Sequence, residues 1–271
     1  MAYKITIKDL AIRTCLDTQM NLRYVRGVTQ KGDFTIPSNY TEKFFDDFKT
    51  GFTQKWALGS TQWEQPYHPN YLLQWFDDEQ IQSDGNGLRL SAIVKQRYFP
   101  EIQQSIPNAI GWLNSKESFK YGIFEFKAKL PKGRYLWPAL WLSGSKNWPP
   151  EIDLLEGYSK NTQDYEGNTN LQSNVHFKKK RTQEKQSIGG RKHRMANKVV
   201  DDFIDYHVWW EPDFIKFYYN GYLVRHITDK AVLDQISENQ IIILNNGVQE
   251  GFNSNNVTPL AVKSVRVLQK N

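Results

Sequence analysis

The chain has 271 residues, a formal net charge of +6 and an aromatic content of 14%. Its length fits one large β-domain, and its many Trp and Tyr residues exclude a disordered chain while fitting either an aromatic-lined groove or an aromatic-rich core. With 1 cysteine no intrachain disulfide can form, and no apolar run approaches the ~20 residues of a membrane span.

The first predicted region is an irregular N-terminal segment. Residues 1–40 are expected to form an extension or an extra edge strand, and residues 41–271 the main domain. Cys15 is expected to be a half-buried small hydrophobe rather than a nucleophile. The first ten residues show no secretory signal, so the export route stays open.

Short β-strands dominate the rest of the chain. Phe124, Phe126 and Ala128 alternate with charged residues, which predicts a strand over residues 121–130 with one buried face. The same period predicts nine further strands, at residues 87–94, 135–142, 151–156, 171–177, 207–210, 214–219, 222–227, 240–245 and 261–268. Asn220-Gly221 predicts a hairpin turn, and the one helix expected covers residues 229–237. This pattern favours an all-β fold, an antiparallel sandwich.

Residues 178–198 form the one strong charge cluster. The segment is rich in Lys and Arg, and it contains Gly189-Gly190. This composition predicts a long loop, which either binds an anionic partner or is simply solvated.

Three carboxylates lie close together in a predicted strand. Glu151 and Asp153 share a face because alternate side chains of a strand point the same way. Glu156 would then point into the core, where an unpaired carboxylate is costly. A one-residue β-bulge at Leu154-Leu155 returns Glu156 to the face of Glu151. We therefore expect one face to carry all three acids, with mutual repulsion raising the pKa of at least one of them.

The neighbouring strand adds aromatic rings to these acids. Trp137, Ala139 and Trp141 share one face, which predicts a surface on which sugar rings stack. Two carboxyl groups beside such a surface are the apparatus that cleaves a glycosidic bond. The acids alone would also fit a Ca²⁺ site or a charged edge strand. His176 is either a groove residue or a hydrogen-bonded structural histidine.

The stretch Trp-Pro-Ala-Leu-Trp-Leu followed by Glu-Ile-Asp-Leu-Leu-Glu resembles the signature of glycoside hydrolase family 16. It has the bulged Glu-x-Asp-x-x-Glu form typical of laminarinases, agarases, porphyranases and κ-carrageenases. Similar segments include residues 45–48, 88–92, 115–125 and 207–213, so the resemblance covers roughly residues 40–271. Pro149-Pro150 stand where the family often has Gly.

The resemblance implies a β-jelly roll of two curved antiparallel sheets with a concave substrate groove. By motif position it implies that Glu151 is the nucleophile, Glu156 the acid/base, and Asp153 the residue that orients and tunes both. Trp137 and Trp141 match aromatic residues at the cleavage site.

The implied activity is endo-acting, retaining hydrolysis of internal β-linkages in a polysaccharide. The substrate is left open between laminarin-type β-1,3-glucan and a β-galactan such as agar, or sulfated carrageenan or porphyran, whose anions would suit the basic segment. The alternative is a non-catalytic glycan-binding or structural protein on the same fold.

The remaining expectations concern partners and location. No cofactor is expected to be required, although a structural Ca²⁺ ion on the face away from the groove occurs in many members of the family. We expect a monomer that acts outside the cell on a polysaccharide, with no nucleic-acid or membrane partner.

Overall fold

A computed structural model describes residues 34–60, 65–159, 171–179, 182–188, 191–193 and 199–271. In these ranges the chain forms strands, numbered below in chain order, one 3₁₀ turn at Asp78–Gln80 and one short helix, α1, at Lys230–Leu233. None of the described helices is long and apolar enough to cross a membrane.

One sheet carries the three acids, and we call it the carboxylate sheet. It consists of β2 (Trp56–Leu58), β9 (Trp112–Phe119), β11 (Leu136–Gly144), β12 (Glu151–Gly157), β13 (Leu171–Lys178), β14 (Lys185–Ser187), β15 (Arg191–His193) and β19 (Gln240–Val248). The strand order is β14-β13-β12-β11-β19-β9-β2, with β15 also paired to β13.

A second sheet, the opposite sheet, packs on one face of the carboxylate sheet. It consists of β1 (Tyr40–Asp46), β5 (Ile81–Ser83), β6 (Leu88–Leu90), β10 (Gly122–Lys129), β16 (Ile204–Glu211), β17 (Phe214–Tyr219), β18 (Tyr222–Ile227) and β20 (Leu260–Lys270). Its order is β18-β17-β16-β10-β20-β6-β5, with β1 also paired to β20. Every described pair in both large sheets is antiparallel.

The main core lies between these two sheets. Phe124, Phe126 and Ala128 of β10 point into it and are buried, as their alternation predicts. Leu140 and Leu142 reach the same core from β11. The side chains of the intervening residues are thereby directed to the outer faces. The predicted all-β jelly-roll sandwich of antiparallel sheets is confirmed.

A third, smaller sheet was not expected. It contains β3 (Tyr67–His68), β4 (Tyr71–Phe76), β7 (Ala92–Phe99) and β8 (Gln104–Ile110), and its β4–β8 pair is parallel. It has its own apolar cluster around Trp75 and Ile106. A parallel pair joins residues far apart in sequence, so no local turn signal announces it.

Several local predictions can be compared with the structure. Asn220 and Gly221 have φ values of 50° and 81°, which confirms the hairpin turn. The helix is shorter than predicted, and Asp229 caps it by accepting a hydrogen bond from the Ala231 amide.

The prediction of one long loop over residues 178–198 is wrong in part. The described parts of this segment include β14 and β15, which pair with β13. The free edge of β13 supplies hydrogen-bonding partners that override the polar composition of these residues. Residues 180–181, 189–190 and 194–198 lie outside the described part of the chain.

The predicted boundary near residue 40 stays a prediction, because residues 1–33, including Cys15, lie outside the described residues. Phe34 packs against His207 and Tyr218 of the opposite sheet, with ring centroids 4.7 and 4.4 Å apart. Strand β1 begins at Tyr40.

Candidate active site

The β-bulge predicted at Leu154-Leu155 is present in β12. Leu155 pairs with Leu140, and the next pair toward the start of β12 is Asp153 with Trp141, so Leu154 has no partner on β11. Both leucines are buried in the main core. Glu151, Asp153 and Glu156 consequently share the face turned away from that core, which we call the groove face.

A side chain of the opposite sheet supports this bulge across the main core. A bulged residue leaves backbone groups without ladder partners, and buried polar groups need such partners. The Tyr219 hydroxyl donates a hydrogen bond of 2.8 Å to the Leu154 carbonyl. On β13, next to the bulged strand, the Ser173 carbonyl accepts a hydrogen bond of 2.6 Å from Arg225 of β18.

Cross-strand pairing assembles the acids with their neighbours. Glu151 lies opposite His176, Asp153 opposite Asn174, and Glu156 opposite Gln172. On the other side, Ser143, Trp141 and Ala139 lie opposite Glu151, Asp153 and Glu156 respectively. Residues directly opposite in an antiparallel pair share a face, so all of these side chains belong to the groove face.

Glu151 is buried and held by two neighbours. The indole N–H of Trp148 donates a hydrogen bond to Glu151 Oε2, and Nε2 of His176 lies 3.3 Å from Glu151 Oε1. Burial raises the pKa of Glu151 to about 8, and the charge of Asp153 adds to the rise. Without a bound substrate, the cluster of acids therefore retains a proton at neutral pH.

Asp153 is the most deeply buried of the three acids, with 3% of its surface exposed. Burial raises its pKa well above the usual range, and Glu156 raises it further. Its Oδ2 atom has no hydrogen-bond partner among the described residues, although His176 Nε2 lies 3.3 Å away. Burial outweighs the charges of Lys185 and Arg225, which lower this pKa, so Asp153 favours its neutral form.

Glu156 accepts two hydrogen bonds on the same oxygen. The Tyr158 hydroxyl donates to Glu156 Oε1 at 2.7 Å and the Trp137 indole at 3.1 Å. Burial raises the pKa of Glu156, and these two donors partly oppose the rise. Glu156 therefore combines a raised pKa with a fixed orientation, which suits a group that gives and takes a proton.

The predicted aromatic surface is divided between two roles. Trp137 is half-buried and stacks on Tyr158, with centroids 5.3 Å apart and planes inclined by 28°. Trp141 is 9% exposed; it donates a hydrogen bond to Asn245 and meets Trp112 edge-on. Trp137 thus presents more of its ring than Trp141, which lies opposite Asp153 on the neighbouring strand.

His176 lies on the groove face, which is where one of its two predicted roles, that of a groove residue, would place it. Burial lowers its pKa, and the charge of Glu151 partly opposes this. Asn174 shares a hydrogen bond of 3.0 Å with His176 Nε2. The histidine is therefore placed between the first two acids and favours its neutral form.

Four further residues belong to this site and were missed from the sequence. Tyr158 and Asn174 could have been found, since each is two residues from a predicted site residue and shares its face. Trp148 lies in the Pro-rich connection before β12, and Lys185 in a segment predicted as loop. Neither Trp148 nor Lys185 belongs to a period-2 pattern that would mark it in the sequence.

Glu151, Asp153 and His176 could also hold a small divalent cation. One ligand atom from each lies within 4.8 Å of the others, and oxygen and imidazole donors suit several divalent metals. A cation there would neutralise the same acids that a glycosidase needs. The predicted Ca²⁺ site on the other face stays a prediction.

Comparison with known proteins agrees with this geometry. The family model described as Glycosyl hydrolases family 16 matches residues 68–257, which is more than half of the chain and includes the three acids. The chain belongs to this family.

Two curated relatives show how similar this chain is to characterised proteins. The chain is 31% identical over 153 residues to a glucan endo-1,3-beta-glucosidase A1 of Niallia circulans, covering 53% of this chain and 21% of that protein. It is 28% identical over 178 residues to a beta-glucanase of Rhodothermus marinus, covering 61% and 57%. The chain thus spans less than two thirds of the length of these curated relatives.

The crystal structure of LamA from Zobellia galactanivorans, bound to laminaritriose and laminaritetraose, matches with a TM-score of 0.69 and 22% identity. The match covers 84% of this chain and 99% of that one. At this identity the likeness concerns the fold.

Proposed function

We propose that this protein is an endo-acting, retaining glycoside hydrolase that cleaves internal β-1,3-linkages of a laminarin-type glucan. The observation that carries the proposal is the bulge in β12, which brings Glu151 and Glu156 to one face on either side of Asp153. Retaining enzymes need two carboxyl groups about 5 Å apart on one side of the scissile bond.

In the first step Glu151 attacks the anomeric carbon as a carboxylate, while Glu156 gives its proton to the leaving oxygen. A glycosyl ester forms on Glu151 and the glycosidic bond breaks. In the second step Glu156, now ionised, takes a proton from water, and the resulting hydroxide displaces Glu151 from the sugar. The enzyme returns to its starting protonation.

Asp153 allows Glu151 to be ionised despite its raised pKa. The reactive form then carries two protons, one on Glu156 for the leaving oxygen and one on Asp153, the most buried of the acids, whose hydroxyl can donate a hydrogen bond to Glu151. The Trp148 N–H then faces the anion. The three acids titrate as one coupled system, and its net charge sets the reactive form.

Two considerations support the choice of substrate. The names of the relatives above refer to β-1,3- and β-glucans, and the LamA structure contains laminaritriose and laminaritetraose. Trp137 offers a half-buried ring beside Glu156, and neutral sugars stack on such rings. A sulfated galactan is the second candidate, because Lys185 places a cation beside Trp148, whose indole holds Glu151.

The test compares the wild-type protein with Glu151→Gln on laminarin, agar, κ-carrageenan and porphyran. Wild type should release a series of oligosaccharides from laminarin, with the β-anomer formed first in ¹H NMR. Glu151→Gln should lose turnover by at least ~10³-fold while still binding oligosaccharides. The matched control is Glu117→Gln, which changes an exposed acid on β9 and should behave as wild type.

Four outcomes would contradict the proposal in different ways. Near-normal turnover by Glu151→Gln would remove its nucleophile. An α-anomer as first product would show inversion. Binding without cleavage of any polysaccharide would favour the non-catalytic alternative. Cleavage of κ-carrageenan or porphyran, with binding that is lost at high salt, would favour the sulfated substrates.

A further inference from the structure

Trp148 and Lys185 form a contact at the rim of the groove face. Trp148 precedes β12, and its side chain is 43% exposed. One end of its indole donates to Glu151 Oε2. The Lys185 ammonium lies 3.9 Å from the centroid of the same ring, well within the ~6 Å at which a cation attracts an aromatic face.

Lys185 reaches this ring from a different part of the sheet. It lies on β14 opposite Lys178 of β13, in the register that also pairs His176 with Ser187. The contact with Trp148 therefore connects the edge strand to the connection before β12. In the described part of the chain Lys185 makes no ion pair with a carboxylate, so the indole ring is its specific partner.

The charge of Lys185 also acts on the acids directly. It lowers the pKa of Asp153, of Glu156 and of His176. Lys185 thus acts on the acids in two ways: its ammonium contacts the ring whose N–H binds Glu151, and the same charge reduces the cost of negative charge on Asp153 and Glu156.

We propose that Lys185 is a positioning residue, which holds the Trp148 indole in place so that its N–H keeps Glu151 oriented for attack. The inference rests on the proposed function for its kinetic consequence. It adds a role for the edge strand β14, whose sequence carries no catalytic motif.

The first experiment measures kcat, KM and pH–rate profiles on laminarin for Lys185→Met, Lys185→Arg and Trp148→Phe. Lys185→Met should lower kcat about two- to fivefold, the fold-change of one lost cation–π contact, with KM within about twofold. Both limbs of its pH profile should move to higher pH, because the loss of a cation raises the pKa of the acids. Lys185→Arg keeps the charge and the ring contact and should restore wild-type behaviour.

Trp148→Phe keeps a ring for Lys185 and removes the N–H donor, so it should lower kcat by about 10- to 100-fold. In this background Lys185→Met should have a smaller effect on kcat but still move the pH profile. The matched control is Lys120→Met, since Lys120 is exposed and lies 5.3 Å from the Tyr121 ring. It should change neither quantity.

The second experiment does not depend on turnover. The Trp148 indole ¹H–¹⁵N resonance, assigned by its absence in Trp148→Phe, should titrate with Glu151 in the wild type. The midpoint should be higher in Lys185→Met. An unchanged midpoint together with unchanged kcat and pH profile would overturn the inference, as would a change in KM alone.

These readouts separate the two proposals. If wild type hydrolyses no polysaccharide but the indole midpoint depends on Lys185, the hydrolase function fails and the positioning role stands. If wild type is active and Lys185→Met matches Lys120→Met in every measurement, the positioning role fails and the hydrolase function stands.

Discussion

Replacing Glu151 by Gln is expected to stabilise the fold progressively as the pH rises. Burial and the charge of Asp153 raise the pKa of Glu151 from 4.5 to about 8. Between these values the folded protein holds a proton that the unfolded chain has lost, so the free energy of unfolding decreases as the pH increases. Gln carries no charge and removes this dependence, while its carbonyl oxygen can still accept from Trp148.

The magnitude follows from the size of the shift. At ~1.4 kcal/mol per pH unit, a rise from 4.5 to about 8 corresponds to at most ~5 kcal/mol of stability lost by wild type across this range. Since the neighbouring acids share the proton, this value belongs to the cluster. The Glu151→Gln variant should therefore gain roughly 2–5 kcal/mol over wild type between pH 4.5 and pH 8.

Urea unfolding at pH 4.5, 6 and 8 measures the free energy of unfolding of both proteins. Any fixed effect of the amide is present at every pH and cancels from the change in the difference. Glu117→Gln, at an exposed position, should show a difference that does not vary with pH. A change of less than ~1 kcal/mol for Glu151→Gln across this range would refute the assignment of a strongly raised pKa.

Three further predictions concern Glu156, the proposed acid/base, and side chains that support the fold. Glu156→Gln should lower kcat/KM on polysaccharide by about 10²–10⁴-fold, and azide should restore turnover of an aryl glycoside by trapping the glycosyl-enzyme; no rescue would contradict a covalent intermediate. Glu125 receives hydrogen bonds from His207 and Arg266, which outweigh the effect of burial and lower its pKa. Glu125→Gln should therefore cost about 1–3 kcal/mol at pH 7 by urea unfolding, and this loss should shrink as the pH falls below the unfolded value of 4.5; an equal loss at pH 3 would contradict this. Tyr219→Phe should cost about 1–3 kcal/mol because it leaves the Leu154 carbonyl unpaired, whereas Tyr206→Phe should stay within ~1 kcal/mol because the buried Tyr206 hydroxyl has no partner among the described residues; equal losses would contradict the bulge-support argument.

Period-2 patterning predicted β6, β10–β13 and β16–β20 of the two large sheets, because each has one face in a continuous core, but it did not predict β1, β2, β5 or β9. The same reasoning gave no sign of the parallel β4–β8 pair, since that contact joins residues 74–76 with residues 108–110. It also assigned β14 and β15 to a loop, because a polar edge strand depends on its neighbour for hydrogen bonds rather than on its own apolar residues.

The three acids of the candidate site could be predicted for a local reason. Parity along β12 requires a bulge if Glu156 is to avoid the core, and the bulge is present. Tyr158 could have been added by the same parity, since it follows Glu156 by two residues. Trp148 could not, because its contact with Glu151 depends on the path of an irregular connection.

The sequence by itself determined the all-β class, the hairpin at Asn220-Gly221 and the set of three acids with their order along one strand. These depend on alternation and turn chemistry, which act over a few residues. Only the tertiary structure decided how the acids differ from one another. Burial sets the pKa of Glu151, Tyr219 of the opposite sheet satisfies the bulge, and Lys185 approaches from an edge strand. Each of these effects depends on distance and on exclusion of water, which arise only when strands remote in sequence pack together.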